Sequence, residues 1–331
     1  MNVCVQVKGD KRLMNMPILV SGGDGFIGRS IVDRLLFAGY SILVIDNHIS
    51  SFPRKDTKNS NYCIFEKDIS HIDVNDVPKV SGVIHLASIA SPLVYKDNPS
   101  LVIDSNTLGT RNLIDIAKRD KVRILYASTS EIYGQLNDQI TKGTGIKENE
   151  FSVTKLLTER SCYASAKRLG EELIVNFKRQ GGDAGNFRLF NVYGKNMDLK
   201  HVGYGRVIPN FFNQMKKGEP VQIFGTGRQS RSFLWIDDAV DAILGLFFYE
   251  GELPSAVNIG RNESISIIDL AETISNVLGV SYKTSFLPGD EDDPQWRIPN
   301  TDLISALTGW KAKVSLREGL KMIADAEKIN D

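Results

Sequence analysis

The stretch Pro17-Ile-Leu-Val-Ser-Gly-Gly-Asp-Gly-Phe-Ile-Gly28 admits few conformations. Ile18, Leu19 and Val20 form a short apolar run of the kind that makes a strand buried on both faces. The chain then turns through Gly22, Gly25 and Gly28 into a helical pattern, Ile27, Ile31, Val32, Leu35 and Leu36, that ends at Gly39. A strand feeding a helix through glycines places unpaired backbone N–H groups at a helix N-terminus, where a pyrophosphate can bind. Without side chains the turn stays tight and a ligand can approach the backbone. Gly22, Gly25, Phe26, Ile27 and Gly28 are the expected wall of that site.

A second apolar run, Ile42-Leu-Val-Ile45, follows and ends in Asp46, eighteen residues beyond Gly28. An acid at that point accepts hydrogen bonds from both hydroxyls of an adenosine ribose, which favours NAD over its 2′-phosphorylated relative. Arg54 argues the other way, because a nearby Arg can receive that phosphate. The plainer alternative is a structural turn beside a capping Asp; the strand–turn–helix–strand order favours the dinucleotide site.

Strand and helix signals keep alternating. Residues 62–66 and 82–86 read as the third and fourth strands, and 100–119 as one long helix through Leu101, Leu108, Leu113, Ile114 and Ala117. The fifth strand, 122–127, runs into Ser128-Thr-Ser-Glu131. The irregular stretch 134–160 is long and polar enough to act as a flap. A helix over about 161–180 and a sixth strand over 184–190 follow. The pattern predicts an α/β protein, a Rossmann-type doubly wound parallel sheet with ligands at the carboxyl ends of its strands. Asn47, Asp68, Ile69, Leu86, Ala87, Ser88 and Asn106 join Asp46 as the expected cofactor contacts. From about Met197 short strands (221–224, 232–235, 256–259) mix with helices near 208–217, 236–249, 267–278 and 315–328. The expected organisation is an N-terminal extension over 1–16, a cofactor domain over 17–196 and a smaller α/β substrate lobe over 197–331, with chain crossings between the two.

Composition narrows the partners. Lys plus Arg balances Asp plus Glu at 40 each, so no net field draws the chain to nucleic acid or to an anionic membrane. No apolar run reaches the roughly 18 residues of a membrane span, and residues 1–16 lack the core of a signal peptide. Cys4, Cys63 and Cys162 are odd in number and far apart, which suits a reducing, cytoplasmic setting. His48, His71, His85 and His201 are scattered, and no metal site is expected.

Tyr163-Ala-Ser-Ala-Lys167 carries the chemistry. A spacing of four puts phenol and ammonium on one helix face. A free phenol, with a pKa of about 10, is a poor base at neutral pH. A neighbouring ammonium stabilises the phenolate and makes Tyr163 a usable general base, and the positive nicotinamide of an oxidised cofactor pushes the same way. The bland reading of such a pair is a surface helix. Its place after a dinucleotide turn and a strand ending in Ser-Thr-Ser favours catalysis, with Tyr163 and Lys167 also touching the cofactor.

With these residues in place, Gly22–Gly28, Ser128-Thr-Ser-Glu-Ile-Tyr-Gly134, Tyr163/Lys167 and Phe187-Arg-Leu-Phe-Asn-Val-Tyr-Gly194 resemble the extended short-chain dehydrogenase/reductase superfamily. Gly205-Arg-Val-Ile-Pro-Asn-Phe211, Ile223 to Phe233, Asp292-Asp-Pro-Gln-Trp-Arg297 and Gly309-Trp310 resemble its nucleotide-sugar epimerase, dehydratase and decarboxylase branch. The enzymes most similar are the decarboxylases of UDP-glucuronate.

The resemblance implies NAD as cofactor, oxidation of the sugar at C4 as first step, and a homodimer built on helices 100–118 and 161–180, with Leu108, Leu113, Ile116, Leu169, Leu173 and Ile174 as apolar groups available to that interface or to the core. It implies Thr129, Ser130, Glu131, Tyr163, Lys167 and Arg231 as catalytic residues. Tyr95, Asn191, Arg206, Val207, Gln222, Phe224, Arg231 and Arg297 are implied as contacts to a nucleotide sugar. Dehydratases of the branch usually carry Asp-Glu where this chain has Ser130-Glu131, and simple 4-epimerases a small or hydroxyl residue in place of Glu131. The Thr129, Ser130, Glu131 set matches the decarboxylases. Arg231 matches an Arg near the sugar carboxylate, and a diphosphate contact is the alternative. The relatives' Tyr-Asp-Glu-Gly-Lys departs here to Tyr163-Ala-Ser-Ala-Lys167. A 4-epimerase, a 4,6-dehydratase and, more distantly, a non-catalytic NAD sensor are the competing readings.

Overall fold

In the computed structural model the described residues are 16–54, 59–90, 95, 97–136, 144–151, 161–195, 197, 206–289 and 293–330. Within them, the strands in chain order are β1 (Ile18–Ser21), β2 (Ile42–Asp46), β3 (Tyr62–Glu66), β4 (Gly82–His85), β5 (Ile124–Thr129), β6 (Ala184–Leu189), β7 (Asn191–Tyr193), β8 (Val221–Phe224), β9 (Ser230–Arg231), β10 (Phe233–Trp235), β11 (Ala256–Ile259), β12 (Ile265–Ser266), β13 (Thr284–Leu287) and β14 (Trp296–Arg297). The helices are α1 (Phe26–Phe37), α2 (Pro99–Asn106), α3 (Leu108–Asp120), α4 (Ser161–Arg179), α5 (Val207–Lys216), α6 (Ile236–Phe247), α7 (Ile267–Leu278), α8 (Asp302–Thr308) and α9 (Leu316–Asn330).

Seven parallel strands form the central sheet in the order β11-β6-β5-β4-β1-β2-β3. Successive side chains of a strand face opposite sides. Ile18 and Val20 accordingly join one core with Ile31, Leu35 and Val240, while Leu19 joins a second with Leu113, Ile116 and Ile174. With both faces covered, the ligand crevice lies where the strand order reverses, between β1 and β4.

Three expectations change. The helix expected over 100–119 is broken at Thr107, whose φ of −115° and ψ of −73° separate α2 from α3. Two side chains compete with the backbone there: the Asn106 amide donates to Val102 O at 2.7 Å and the Thr107 hydroxyl to Ile103 O at 2.7 Å. Strand 256–259, expected in the smaller lobe, returns as β11 to the edge of the central sheet beside β6, because its Val257 and Ile259 complete the main core. Residues 144–151, part of the stretch read as a flap, are tied to the C-terminal region: Ile146 N donates to Ile298 O at 2.8 Å and Asn258 N to Glu148 Oε1 at 2.8 Å. Residues 137–143 and 152–160 of that stretch, and 1–15 of the expected extension, lie outside the described residues.

Candidate functional site

The glycine turn is shaped by contacts that no side chain would survive. Gly22 sits at φ +70°, and a Cβ at Gly28 would lie 2.1 Å from Gly22 O. Helix α1 is thereby pressed against the end of β1. Its N-cap, Gly25, offers no side-chain cap, so the N–H groups of Phe26, Ile27 and Gly28 open the helix without a capping side chain. That is the donor set a pyrophosphate requires, and the turn fits a dinucleotide.

Asp46 closes β2 and is 7% exposed. Its carboxylate accepts Asp24 N at 3.0 Å, His48 N at 3.0 Å and the Ser51 hydroxyl at 2.8 Å. Three of its roughly four acceptor positions are thus taken. Asn47 donates to Asp68 at 2.9 Å, and Asp68 caps the 3₁₀ turn Ile69–His71, with Ile69 in the core. Leu86 and Ala87 follow β4, their N–H groups on Ser21 O at 3.0 Å and Ser21 Oγ at 3.3 Å. Asn106 is fully buried. Its amide donates to Ser88 Oγ at 2.9 Å and its carbonyl accepts the Tyr126 hydroxyl at 2.8 Å, so it reaches the crevice by way of Ser88.

At the end of β5, Thr129 Oγ1 accepts Glu131 N at 3.2 Å and is hydrogen-bonded to Tyr163. The 3₁₀ turn Ser130–Tyr133 that carries Glu131 is fixed from behind: Arg188 donates to the Tyr133 hydroxyl at 2.8 Å, that hydroxyl to Asn258 at 2.7 Å, and Arg188 is clamped by Glu171 at 2.7 Å. Ser130 is 4% exposed within this turn, so it backs the site and leaves Thr129 and Glu131 to face it. Tyr95 stacks on Tyr163 with centroids 5.6 Å apart and planes 5° from parallel.

The phenol–ammonium pair departs from expectation. Lys167 Nζ donates to Ala127 O at 2.7 Å and lies 4.8 Å from the Tyr126 ring centroid. Burial pulls its pKa down to about 7. Burial also pushes the Tyr163 hydroxyl above the ordinary phenol range, and the Glu131 charge adds to this while the Thr129 hydrogen bond opposes it. Without cofactor, burial and the Glu131 charge thus favour the protonated form of Tyr163.

A cavity of about 370 Å³ opens beside Tyr163. Its lining collects Thr129, Glu131 and Arg231 together with Tyr95, Asn191, Arg206, Val207, Gln222, Phe224 and Arg297. Sequence distance had hidden how the two arginines meet. Strands β9 and β14 run parallel with Arg231 and Arg297 in register, so two guanidinium groups stand side by side. Each has an acid: Arg231 pairs with Asp293 at 2.6 Å, and Arg297 with Glu131 at 2.5 Å. Among the described residues the buried Nε of Arg297 has no hydrogen-bond partner, leaving a donor next to the cavity. Asp293 was missed as a site residue. Its signal was the Asp292-Asp-Pro run close before Arg297.

The family model described as NAD dependent epimerase/dehydratase matches residues 18–260. The chain belongs to that family. NAD is its cofactor, and it is an enzyme. It is 35% identical over 317 residues to UDP-glucuronic acid decarboxylase 5 of Arabidopsis thaliana, covering 94% of this chain and 89% of that one. UDP-glucuronic acid decarboxylase 1 of Danio rerio is 34% identical over 92% of this chain and 70% of its own length. Among solved structures, UDP-glucose 4-epimerase of Thermotoga maritima with UDP-glucose superposes with a TM-score of 0.84 at 28% identity, covering 95% of this chain and 99% of that one. Among the described residues of this family member no helix is long and apolar enough to cross a membrane.

Proposed function

We propose that this protein is a UDP-glucuronate decarboxylase that oxidises C4, releases CO₂ and reduces the 4-keto pentose again. The observation that carries the reading is Glu131, an acid held against Arg297 and facing the cavity beside Tyr163, with Arg231 in register next to it. Relatives at 35% identity named as UDP-glucuronic acid decarboxylases support it.

When bound, NAD supplies a two-electron acceptor at C4 and a positive ring that favours the phenolate, the bias that the chain alone lacks. Tyr163 takes the C4 hydroxyl proton, with Thr129 donating to the same oxygen. The C4 ketone makes the C6 carboxylate that of a β-keto acid, so breaking C5–C6 leaves an enolate whose oxyanion Thr129 and Tyr163 stabilise. Glu131, directly or through a water, helps deliver a proton from solvent to C5. Arg231 holds the carboxylate until CO₂ leaves, while Arg297, Arg206 and Gln222 face the nucleotide diphosphate side. In this reading 17–196 is the cofactor domain and 197–331 the sugar lobe, with α6 and β11 crossing back onto the sheet.

The protein is also proposed to be a cytoplasmic homodimer. Ile103, Leu108 and Leu169, at 44%, 46% and 51% exposure, leave apolar groups uncovered on α2, α3 and α4, whereas Leu113, Ile116 and Ile174 are core. Free Cys63 and Cys162 suit a reducing compartment. Light scattering at micromolar concentration tests the dimer, and a monomer contradicts it.

The activity test is incubation with NAD and UDP-glucuronate, with UDP-glucose and UDP-N-acetylglucosamine in parallel. CO₂ from the first supports decarboxylation. A C4 epimer without CO₂ supports the 4-epimerase reading that the Thermotoga maritima likeness favours.

A further inference from the structure

The adenosine end of the crevice carries a cluster that the cofactor reading leaves unused. Asp24, inside the glycine turn, has a side chain that is 0% exposed. It pairs with His48 Nε2 at 2.9 Å and Arg54 Nε at 3.3 Å, and the Tyr62 hydroxyl lies 3.4 Å away. Its backbone N–H meanwhile holds the Asp46 carboxylate at 3.0 Å. Arg54 is occupied further: Nη1 meets Asp33 at 2.6 Å, Nη2 donates to Arg29 O at 2.8 Å, and the guanidinium lies 5.5 Å from the Tyr62 ring centroid.

A guanidinium and an imidazole thus stand near the residue that reads the ribose, which is the arrangement a 2′-phosphate seeks. A guanidinium can turn its fork to that phosphate only if nothing inside the protein holds it. Here a buried carboxylate does, and it brings a second negative charge close to Asp46. The Asp33 contact alone is a weak tether, since Asp33 is half-exposed and surface pairs contribute little.

We propose that Asp24 is a second determinant of cofactor choice: it sequesters Arg54 and His48, the groups that would otherwise receive a 2′-phosphate, and so enforces NAD over NADP. The proposal concerns the dinucleotide alone and stands whichever sugar is turned over.

The test is equilibrium binding of NAD and of NADP, followed by protein fluorescence, to wild type, Asp24→Ala, Asp24→Asn and Asp24→Ala/Arg54→Met. Asp24→Asn keeps the shape and drops the charge, which protects the test against the cost of stranding buried cations. In the folded Asp24 variants NADP should bind at least about tenfold tighter than in wild type, a gain the added Arg54→Met should abolish. Arg54→Met alone should leave wild-type NADP affinity within about twofold, because Arg54 is already committed. NADP affinity unchanged in either folded Asp24 variant overturns the proposal. So does a large loss of NADP binding in Arg54→Met alone, since it would mean that Arg54 is free to take the phosphate without any change at Asp24.

Discussion

On the cofactor side of the crevice, contact is made by backbone that only glycine permits: Gly28 lies so close to Gly22 O that a methyl group would overlap it. The buried lysine there, Lys167, donates to the carbonyl of Ala127. On the sugar side, a few long charged side chains stand in a lining otherwise largely apolar and aromatic, and the cations Arg231 and Arg297 are held by the carboxylates Asp293 and Glu131. The first wall is complete before any ligand arrives and has no freedom to adapt. The second satisfies itself internally and must exchange partners, a diphosphate or a sugar carboxylate replacing an acid on an arginine. In the proposed mechanism that exchange couples binding to chemistry, because it would free Glu131 from its pair with Arg297.

Tyr163 stands where the walls meet, and its loss is the largest effect expected. Tyr163→Phe should lower kcat by about 10² to 10⁴ while NAD affinity holds, because only the phenolic oxygen is removed. A near wild-type kcat would assign the C4 proton to another group. Next, rigidity of the cofactor wall predicts that Gly28→Ala costs about 1–3 kcal/mol, read as a lower melting temperature and weaker NAD binding. Gly245→Ala is the control: its Cβ would meet nothing closer than 3.6 Å, and it should be neutral or stabilising. Equal behaviour of the two would break the distinction between a crowded wall and an ordinary helix.

The smallest effect is electrostatic. Burial lowers the Lys167 pKa to about 7, whereas an unfolded Lys titrates near 10.4. Between those values the unfolded chain holds a proton that the folded one lacks, so this group's contribution to stability rises with pH, by at most about 1.4 kcal/mol per pH unit. The melting-temperature difference between wild type and Lys167→Met, measured without cofactor from pH 7 to 9, should shift toward wild type. A flat difference would mean that Lys167 keeps its charge in the fold.

The cofactor wall was legible because its determinants are local. The Gly22, Gly25, Gly28 spacing, the apolar run before it and Asp46 after the next strand are all read within thirty residues, and six of the seven strands of the parallel sheet follow from the alternation around them, β11 alone coming from the region read as the smaller lobe. The sugar wall was legible only in part. Residue types at motif positions gave Glu131, Arg231 and Arg297, but no local pattern reveals that β9 and β14 pair in register or that Asp293 neutralises Arg231. The i, i+4 spacing of Tyr163 and Lys167 is visible in sequence, whereas the burial and the Glu131 charge that raise the Tyr163 pKa without cofactor come from distant segments and are not. The single helix over 100–119 failed on side-chain competition at Asn106 and Thr107, which helical periodicity does not weigh.

In the proposed mechanism the sugar wall acts after C4 oxidation, with Arg231 holding the departing carboxylate. The direct measurement follows CO₂ release and NADH absorbance together in Arg231→Lys at saturating UDP-glucuronate. A lysine keeps the charge and loses the fixed fork of donors. NADH should still form while CO₂ release falls by about 10² or more. Undiminished decarboxylation would contradict it and assign Arg231 to the diphosphate.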